Sequence, residues 1–249
     1  MQFKGKTVLV TGGASGIGEA IALAFAKGGA NVALTYMTSD PAEIVGKIKA
    51  AGNEPLAIKA DLCNEAEVAG VFSKTIAKFG ALDILVANTG GLVQRCRAAE
   101  MTLDLWNRVM TVNMTTTFLS CREALRHMEP RKQGNIILIS SLAGHNGGGQ
   151  DATHYGASKG AMITYTRGLA KEVGPLGIRV NGIAPGLIAT RFHDIFNTPE
   201  GRKTAVGMTP LRREGTSEDV AGAAIFLASD SSSFLAGETI EVNGGLGLY

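Results

Sequence analysis

Thr7-Val8-Leu9-Val10-Thr11-Gly12-Gly13-Ala14-Ser15-Gly16-Ile17-Gly18 joins an apolar, β-branched run to a glycine-rich turn, and Glu19–Lys27 continues as a helical stretch. The run has no polar alternation, which marks a strand covered on both faces. A helix that starts straight after such a turn points its free N–H groups and positive dipole end at the turn, a setting that suits a phosphate. Glycine permits the tight turn and lets backbone approach a pyrophosphate. The spacing is TGxxxGxG and not GxGxxG.

The same alternation continues outward. Strands are expected at Asn31–Tyr36, Leu56–Ala60, Leu82–Ala87, Asn135–Ile139, Ile178–Ile183 and Thr239–Val242. Helices are expected at Pro41–Ala51, with Pro41 in its first turn, at Glu65–Phe79, from about Asp104 to Met128, at about 155–173 and at Ser217–Leu227. This predicts an α/β chain, residues 1–249 forming a single domain: a doubly wound, mostly parallel seven-stranded Rossmann sheet with helices on both faces. The long segment at about 185–216, with Pro185, Pro199 and Pro210, reads as irregular, and about 187–215 as a substrate lid.

Composition narrows the function. The 249 residues carry 24 Lys+Arg against 22 Asp+Glu, a net charge of +2 without long like-charged runs, so neither nucleic acid nor a membrane surface is expected as partner. Apolar runs such as Ile136-Ile137-Leu138-Ile139 are too short to span a bilayer, and no signal-peptide pattern precedes the first strand, so a cytoplasmic protein is expected. Cys63, Cys96 and Cys121 are odd in number without CxxC spacing, and His127, His145, His154 and His193 form no HxxxH, so neither a disulfide framework nor a metal site is indicated.

An acidic residue at the end of the second strand would bind ribose hydroxyls, but Tyr36 holds that place, within Thr35-Tyr36-Met37-Thr38-Ser39. Thr38 and Ser39 could donate to a 2′-phosphate. No carboxylate there would repel a 2′-phosphate, which favours NADP(H), but no Arg or Lys lies beside them in sequence, so NAD(H) stays possible. Tyr155 and Lys159, spaced i,i+4, share a helix face, and an ammonium there lowers the pKa of a phenol. Ser141 ends the fifth strand and can reach the same pocket.

The glycine loop, Asp61, Asn88-Thr89-Gly90, Asn113, Ser141, Tyr155-x-x-x-Lys159 and Pro185-Gly186 occur in the order of the short-chain dehydrogenase/reductase family. The chain resembles the classical subfamily over about residues 4–249, and is similar to bacterial 3-oxoacyl-acyl-carrier-protein reductases and sugar dehydrogenases. The resemblance implies roles. Tyr155 would be the general acid or base, Lys159 its pKa modifier and a holder of the nicotinamide ribose, and Ser141 (not Ser140) the carbonyl-polarising group. Asn113 would hold a water that relays protons to Lys159. Gly12, Ser15, Gly16, Ile17 and Gly18 would hold the dinucleotide, with Asp61 and Leu62 at the adenine. Asn88 and Gly90 would line the adenosine ribose, and Pro185, Gly186, Ile188 and Thr190 the carboxamide. Thr89 departs from the family's alanine.

Arg95, Arg97 and Arg191 fall at the sheet's C-terminal edge, as an anion clamp or as ordinary solvated arginines. His145, His154 and His193 are placed to touch substrate. The main expectation is an NADP(H)-dependent oxidoreductase acting on the carbonyl or alcohol of a small polar molecule such as a sugar, sugar acid or related ketone. One alternative is a 3-oxoacyl-acyl-carrier-protein reductase, disfavoured by Leu176 where those enzymes tend to carry a basic residue, although Lys132 could supply a docking charge. The other is a non-catalytic dinucleotide sensor, which would not need Asn113, Ser141, Tyr155 and Lys159 together. The family's helix pairing implies a homotetramer: the long helix and the Tyr155 helix form one interface, and Gly237–Gly245 with the apolar tail Leu246–Tyr249 forms the second. The rival is a dimer with the tail folded on its own subunit.

Overall fold

The computed structural model describes residues 2–249. In chain order the elements are β1 (Thr7–Val10), α1 (Gly16–Lys27), β2 (Asn31–Tyr36), α2 (Ala42–Ala50), β3 (Leu56–Lys59), α3 (Glu65–Phe79), β4 (Ile84–Ala87), α4 (Leu103–Met110) and α5 (Thr116–Met128). There follow β5 (Gly134–Ile139), α6 (Ala143–Asn146), α7 (Thr153–Val173), β6 (Ile178–Pro185), α8 (Arg191–Phe196), α9 (Pro199–Met208), α10 (Ser217–Ala228) and β7 (Thr239–Val242). The strands form one parallel sheet in the order β3-β2-β1-β4-β5-β6-β7, as the sequence pattern implied.

Strand alternation divides the core between two faces. In β1, Leu9 packs with Phe72 of α3, Leu119 of α5 and Met162 of α7, while Val8 and Val10 pack with Phe25 of α1, Ile48 of α2 and Val220 of α10. Central strands such as β1 and β4 are therefore buried on both sides, whereas the edge strands β3 and β7 carry Lys59 and Glu241. Chain direction across the sheet reverses between β1 and β4. The two connections there leave to opposite sides and open a crevice at the strands' C-terminal ends.

Three expectations change. The helix foreseen from about Asp104 to Met128 is interrupted by a π turn at Thr111–Thr115 between α4 and α5. Its cause is local: the Asn113 amide donates to the Val109 carbonyl at 2.9 Å, intercepting a ladder acceptor, and Thr117 Oγ1 donates to the Asn113 carbonyl at 2.7 Å. The segment read as irregular contains α8 and α9. Pro199 sits in the first turn of α9, where a missing N–H costs nothing, and Thr198 caps it by accepting from Gly201 N–H. Pro41 precedes α2 as its cap residue and is not in its first turn.

Candidate active site

A cleft of about 580 Å³ runs from the glycine loop, past the ends of β4 and β5, to the segment carrying α8. Its first wall is backbone held by the side chains of Thr11, Thr35 and Asn88. Gly12 N–H donates to Thr35 Oγ1 at 2.9 Å, and the Asn88 amide donates to the Thr11 and Gly12 carbonyls at 2.9 and 3.2 Å. Thr11 Oγ1 accepts from both Asn88 and Thr89 N–H. Gly16 has φ +55°, and a Cβ on Gly18 would enter the Gly12 carbonyl, so only glycine serves at either place. No side chain caps α1, whose N-terminal residues Ser15, Gly16, Ile17 and Gly18 line the cleft. Free N–H groups, a dipole end and close backbone approach fit the pyrophosphate of a dinucleotide.

The adenosine end is more open. Tyr36, Thr38 and Ser39 stand at the end of β2, with Thr38 exposed. Asp61 follows β3 and accepts from Cys63 N–H, while the Leu62 side chain packs in the core beside Val68 and offers backbone at the edge. Sequence proximity had shown no cation here, but the sheet register pairs Tyr36 with Lys59 of β3, an exposed residue the motif reading missed. Cross-strand register was the signal that could have found it.

The reacting groups converge from β5 and α7. Ser140 and Ser141 divide their work: Ser140 is buried and donates to the Lys159 carbonyl at 2.9 Å, whereas Ser141 lines the cleft with Tyr155 and accepts from Ala143 N–H at 3.1 Å. Burial pushes the Tyr155 phenol up to about 12, with the neighbouring Ser141 hydroxyl acting the other way. Lys159 is buried, donates to the Ile139 carbonyl at 2.8 Å, and is pushed down to about 7 by desolvation. The expected depression of the phenol by the ammonium is thus absent in this geometry: the Lys159 Nζ lies 5.9 Å from the Tyr155 ring centroid and bonds elsewhere. The Asn113 side chain is spent on the loop, giving Nδ2 to the Gly91 carbonyl at 2.8 Å and accepting from Gly91 N–H at 3.0 Å. Gly90 stands over the same pair, where a Cβ would lie 2.5 Å from Asn113 Oδ1 and 3.1 Å from Lys159 Nζ.

Pro185, Gly186, Ile188 and Thr190 line the far wall. The Leu142 N–H bonds the Pro185 carbonyl, and Gly186 N–H the Val242 carbonyl. Of the residues expected at substrate, Arg95, Arg191 and His193 line the cleft. Arg95 is not free there: Nε donates to the Phe196 carbonyl at 2.9 Å, Nη2 to Asn197 Oδ1 at 3.0 Å, and Nη1 to the Gln150 carbonyl. His145 and His154 do not line it. His154 is fully buried with Nε2 bonded to the Gln94 carbonyl at 2.9 Å, so it anchors the loop after β4. His145 stacks on Tyr249 at 4.7 Å and pairs with Glu241 at 2.8 Å. Asn197, which the sequence reading did not single out, also lines the cleft, as does Leu246, expected there only as part of an interface tail.

A sheet reversing at a glycine cradle, with a serine, a phenol and an ammonium gathered beside it, is the architecture of an α/β oxidoreductase. A family model described as enoyl-(acyl carrier protein) reductase matches residues 12–247. Glucose 1-dehydrogenase 2 of Bacillus subtilis (strain 168) is 38% identical over 250 residues, covering 98% of this chain and 96% of that protein. A 3-oxoacyl-[acyl-carrier-protein] reductase of Synechocystis sp. is 36% identical, covering 98% of each. The solved 7α-hydroxysteroid dehydrogenase complexed with NADH and 7-oxo glycochenodeoxycholic acid superposes with a TM-score of 0.93 at 34% identity, covering 98% of this chain and 95% of that one. The chain belongs to the short-chain dehydrogenase/reductase family and is an oxidoreductase of that type.

Proposed function

We propose that the protein is an NADP(H)-dependent reductase of a small polar carbonyl compound, with Ser141, Tyr155, Lys159 and Asn113 as its working residues. The Ser141 and Tyr155 hydroxyl-bearing side chains on the wall of one cleft that begins at the glycine cradle carry this reading. Tyr155, held protonated by burial, is poised to give its proton to a substrate oxygen that the Ser141 hydroxyl also holds. Lys159 sits behind the ring as a reserve of positive charge, and Asn113 fixes the Gly90-Gly91 backbone over it. Bound along Gly12–Gly18 and Pro185–Thr190, the nicotinamide coenzyme would supply the hydride. Lys59 beside Tyr36, with Thr38 and Ser39, supports the phosphorylated coenzyme, since nothing acidic in that group would repel a 2′-phosphate.

The segment at about 187–215 serves as the lid over the substrate end. Residues 1–249 act as one domain, and three unpaired cysteines fit a reducing, cytoplasmic setting. A homotetramer is supported by exposed Trp106 and Phe118 on α4 and α5 and by exposed Phe226 and Phe234 near β7. The tail contributes on two sides, with Leu246 in its own cleft and Leu248 left exposed. Light scattering at four times the 25.9 kDa chain supports the tetramer, and a monomer mass excludes it.

The deciding experiment follows NADPH and NADH oxidation with sugars, ketones, ketoacids and an acetoacetyl thioester. Turnover of a small hydroxyketone with NADPH supports the reading. Turnover of the thioester alone would establish the acyl-carrier alternative, to which the Synechocystis relative points. Coenzyme binding without turnover of any carbonyl would leave the sensor.

A further inference from the structure

Arg95, Asn197 and His193 form a hydrogen-bonded chain whose direction follows from donor chemistry. A guanidinium only donates, so the Asn197 atom 3.0 Å from Arg95 Nη2 is the amide oxygen. The amide nitrogen then stands 3.1 Å from His193 Nδ1. An amide nitrogen also only donates, so Nδ1 is the acceptor and the proton of the neutral ring lies on Nε2. Arg95 is tied to the Phe196 and Gln150 carbonyls, so turning the amide over would set its NH2 group against a fixed guanidinium. His193 meets the edge of Phe192 at 5.1 Å, and Phe192 lies 5.9 Å from the Tyr155 ring. Arg95, Asn197, His193, Phe192 and Tyr155 all line the one cleft.

We infer that Arg95 and Asn197 are positioning residues that hold His193 as the Nε2–H tautomer, so that the lid presents a neutral hydrogen-bond donor to a second oxygen of the substrate, across Phe192 from the reacting carbonyl. The inference rests on the carbonyl-reductase reading and narrows its substrate to a carbonyl compound with a further uncharged acceptor oxygen. Arg95 is spent on the lid and Arg202 is held by Asp194 and Glu214, so of these arginines Arg191, on the same cleft wall, is the one left to an anionic group. Burial, assisted by Arg202, holds the His193 imidazole below its ordinary pKa, while Glu214, the Gly186 carbonyl and Asp194 oppose this. The ring is therefore uncharged at neutral pH.

The test has two readouts. In protein labelled with ¹⁵N and ¹³C histidine, the His193 signals are assigned by their loss in His193→Gln. The expected result is the Nε2–H tautomer at about pH 8, with conversion to the Nδ1–H or charged ring in Asn197→Asp, whose carboxylate accepts from Nδ1. An Nδ1–H ring in the unmodified protein, or no change in Asn197→Asp, would overturn the relay. In the second readout, NADPH-dependent reduction of dihydroxyacetone is compared with that of acetone. Asn197→Ala should raise KM for dihydroxyacetone about three- to tenfold, with little change for acetone or in either kcat. Asn197→Asp should make the dihydroxyacetone KM depend on pH between about 6 and 8. Equal losses on both ketones would show a merely structural role and overturn the recognition step. If neither ketone reacted, the carbonyl-reductase reading would fail, while the labelled histidine would still decide the tautomer.

Discussion

The two ends of the cleft are built differently. At the glycine loop, α1 buries Gly18, Ile21, Ala22, Phe25 and Ala26, and the loop is fixed by bonds among Thr11, Gly12, Thr35 and Asn88. At the lid, neither α8 nor α9 buries a residue, and the segment is held by Arg95 and by the bidentate Arg202–Glu214 pair. At Gly13 and Gly18 the first end has no room for an added atom. The second rests on side chains at the surface, each worth little to stability, so its residues can follow the substrate while the cradle follows the coenzyme.

The largest expected effect lies where the two ends meet. Tyr155→Phe should lower kcat by about 10²–10⁴-fold while NADPH binding, followed by fluorescence, is retained. Near-normal turnover would place the proton donor elsewhere. Gly18→Ala should come next. Its methyl would meet the Gly12 carbonyl and lie 2.6 Å from Asn88 Nδ2, which predicts a loss of about 1–3 kcal/mol and weakened coenzyme binding. A Tm equal to that of the unmodified protein would break the contrast between the two ends.

A pH dependence sharpens it further. Lys159 is pushed from 10.5 to about 7, so between those values the unfolded chain binds a proton that the folded chain does not, and stability rises with pH through the window. Tyr155, raised from 10.0 to about 12, acts in the opposite sense at the alkaline end, because above 10 the folded chain keeps a proton that the unfolded chain loses. Lys159→Met should flatten the rise in Tm from about pH 7 to 10. An unchanged slope would mean that another group is responsible.

Smaller effects are expected from surface charge. Lys59→Glu should raise KM for NADPH about five- to tenfold with little change for NADH, and equal changes would remove Lys59 from coenzyme choice. Arg202→Ala should lower the denaturant midpoint by less than Gly18→Ala does. A loss as large as that of Gly18→Ala would show that the lid is as integral to the fold as the cradle.

The same contrast explains what was legible in the sequence. Strands covered on both faces announce themselves as unbroken apolar runs, and the glycine loop and the Tyr155–Lys159 spacing are local patterns. The roles of Asn113, Lys59, Asn197 and His154 depend instead on what lies across from them. The π turn arises because a side-chain amide captures a backbone carbonyl, which helix periodicity does not encode. Lys59 reaches Tyr36 only through strand register, and His154 left the list of substrate contacts because the loop after β4 folds over it. Ser141 was separable from Ser140 only by family order, and the structure adds that Ser140 is occupied with the Lys159 carbonyl.

The strand order also carries a consequence for how the chain is made. β1 pairs with β2 through a nearby crossover, but its other neighbour is β4, and the Thr7 N–H that bonds Asp83 spans 76 residues. As the chain leaves a ribosome, β1 therefore waits with one edge open until the segment through Ala87 has emerged. Mutations that slow the β2–β3 unit should lengthen that interval and expose an apolar edge to neighbouring chains, so their first symptom should be aggregation of the nascent protein and not loss of activity in the finished one.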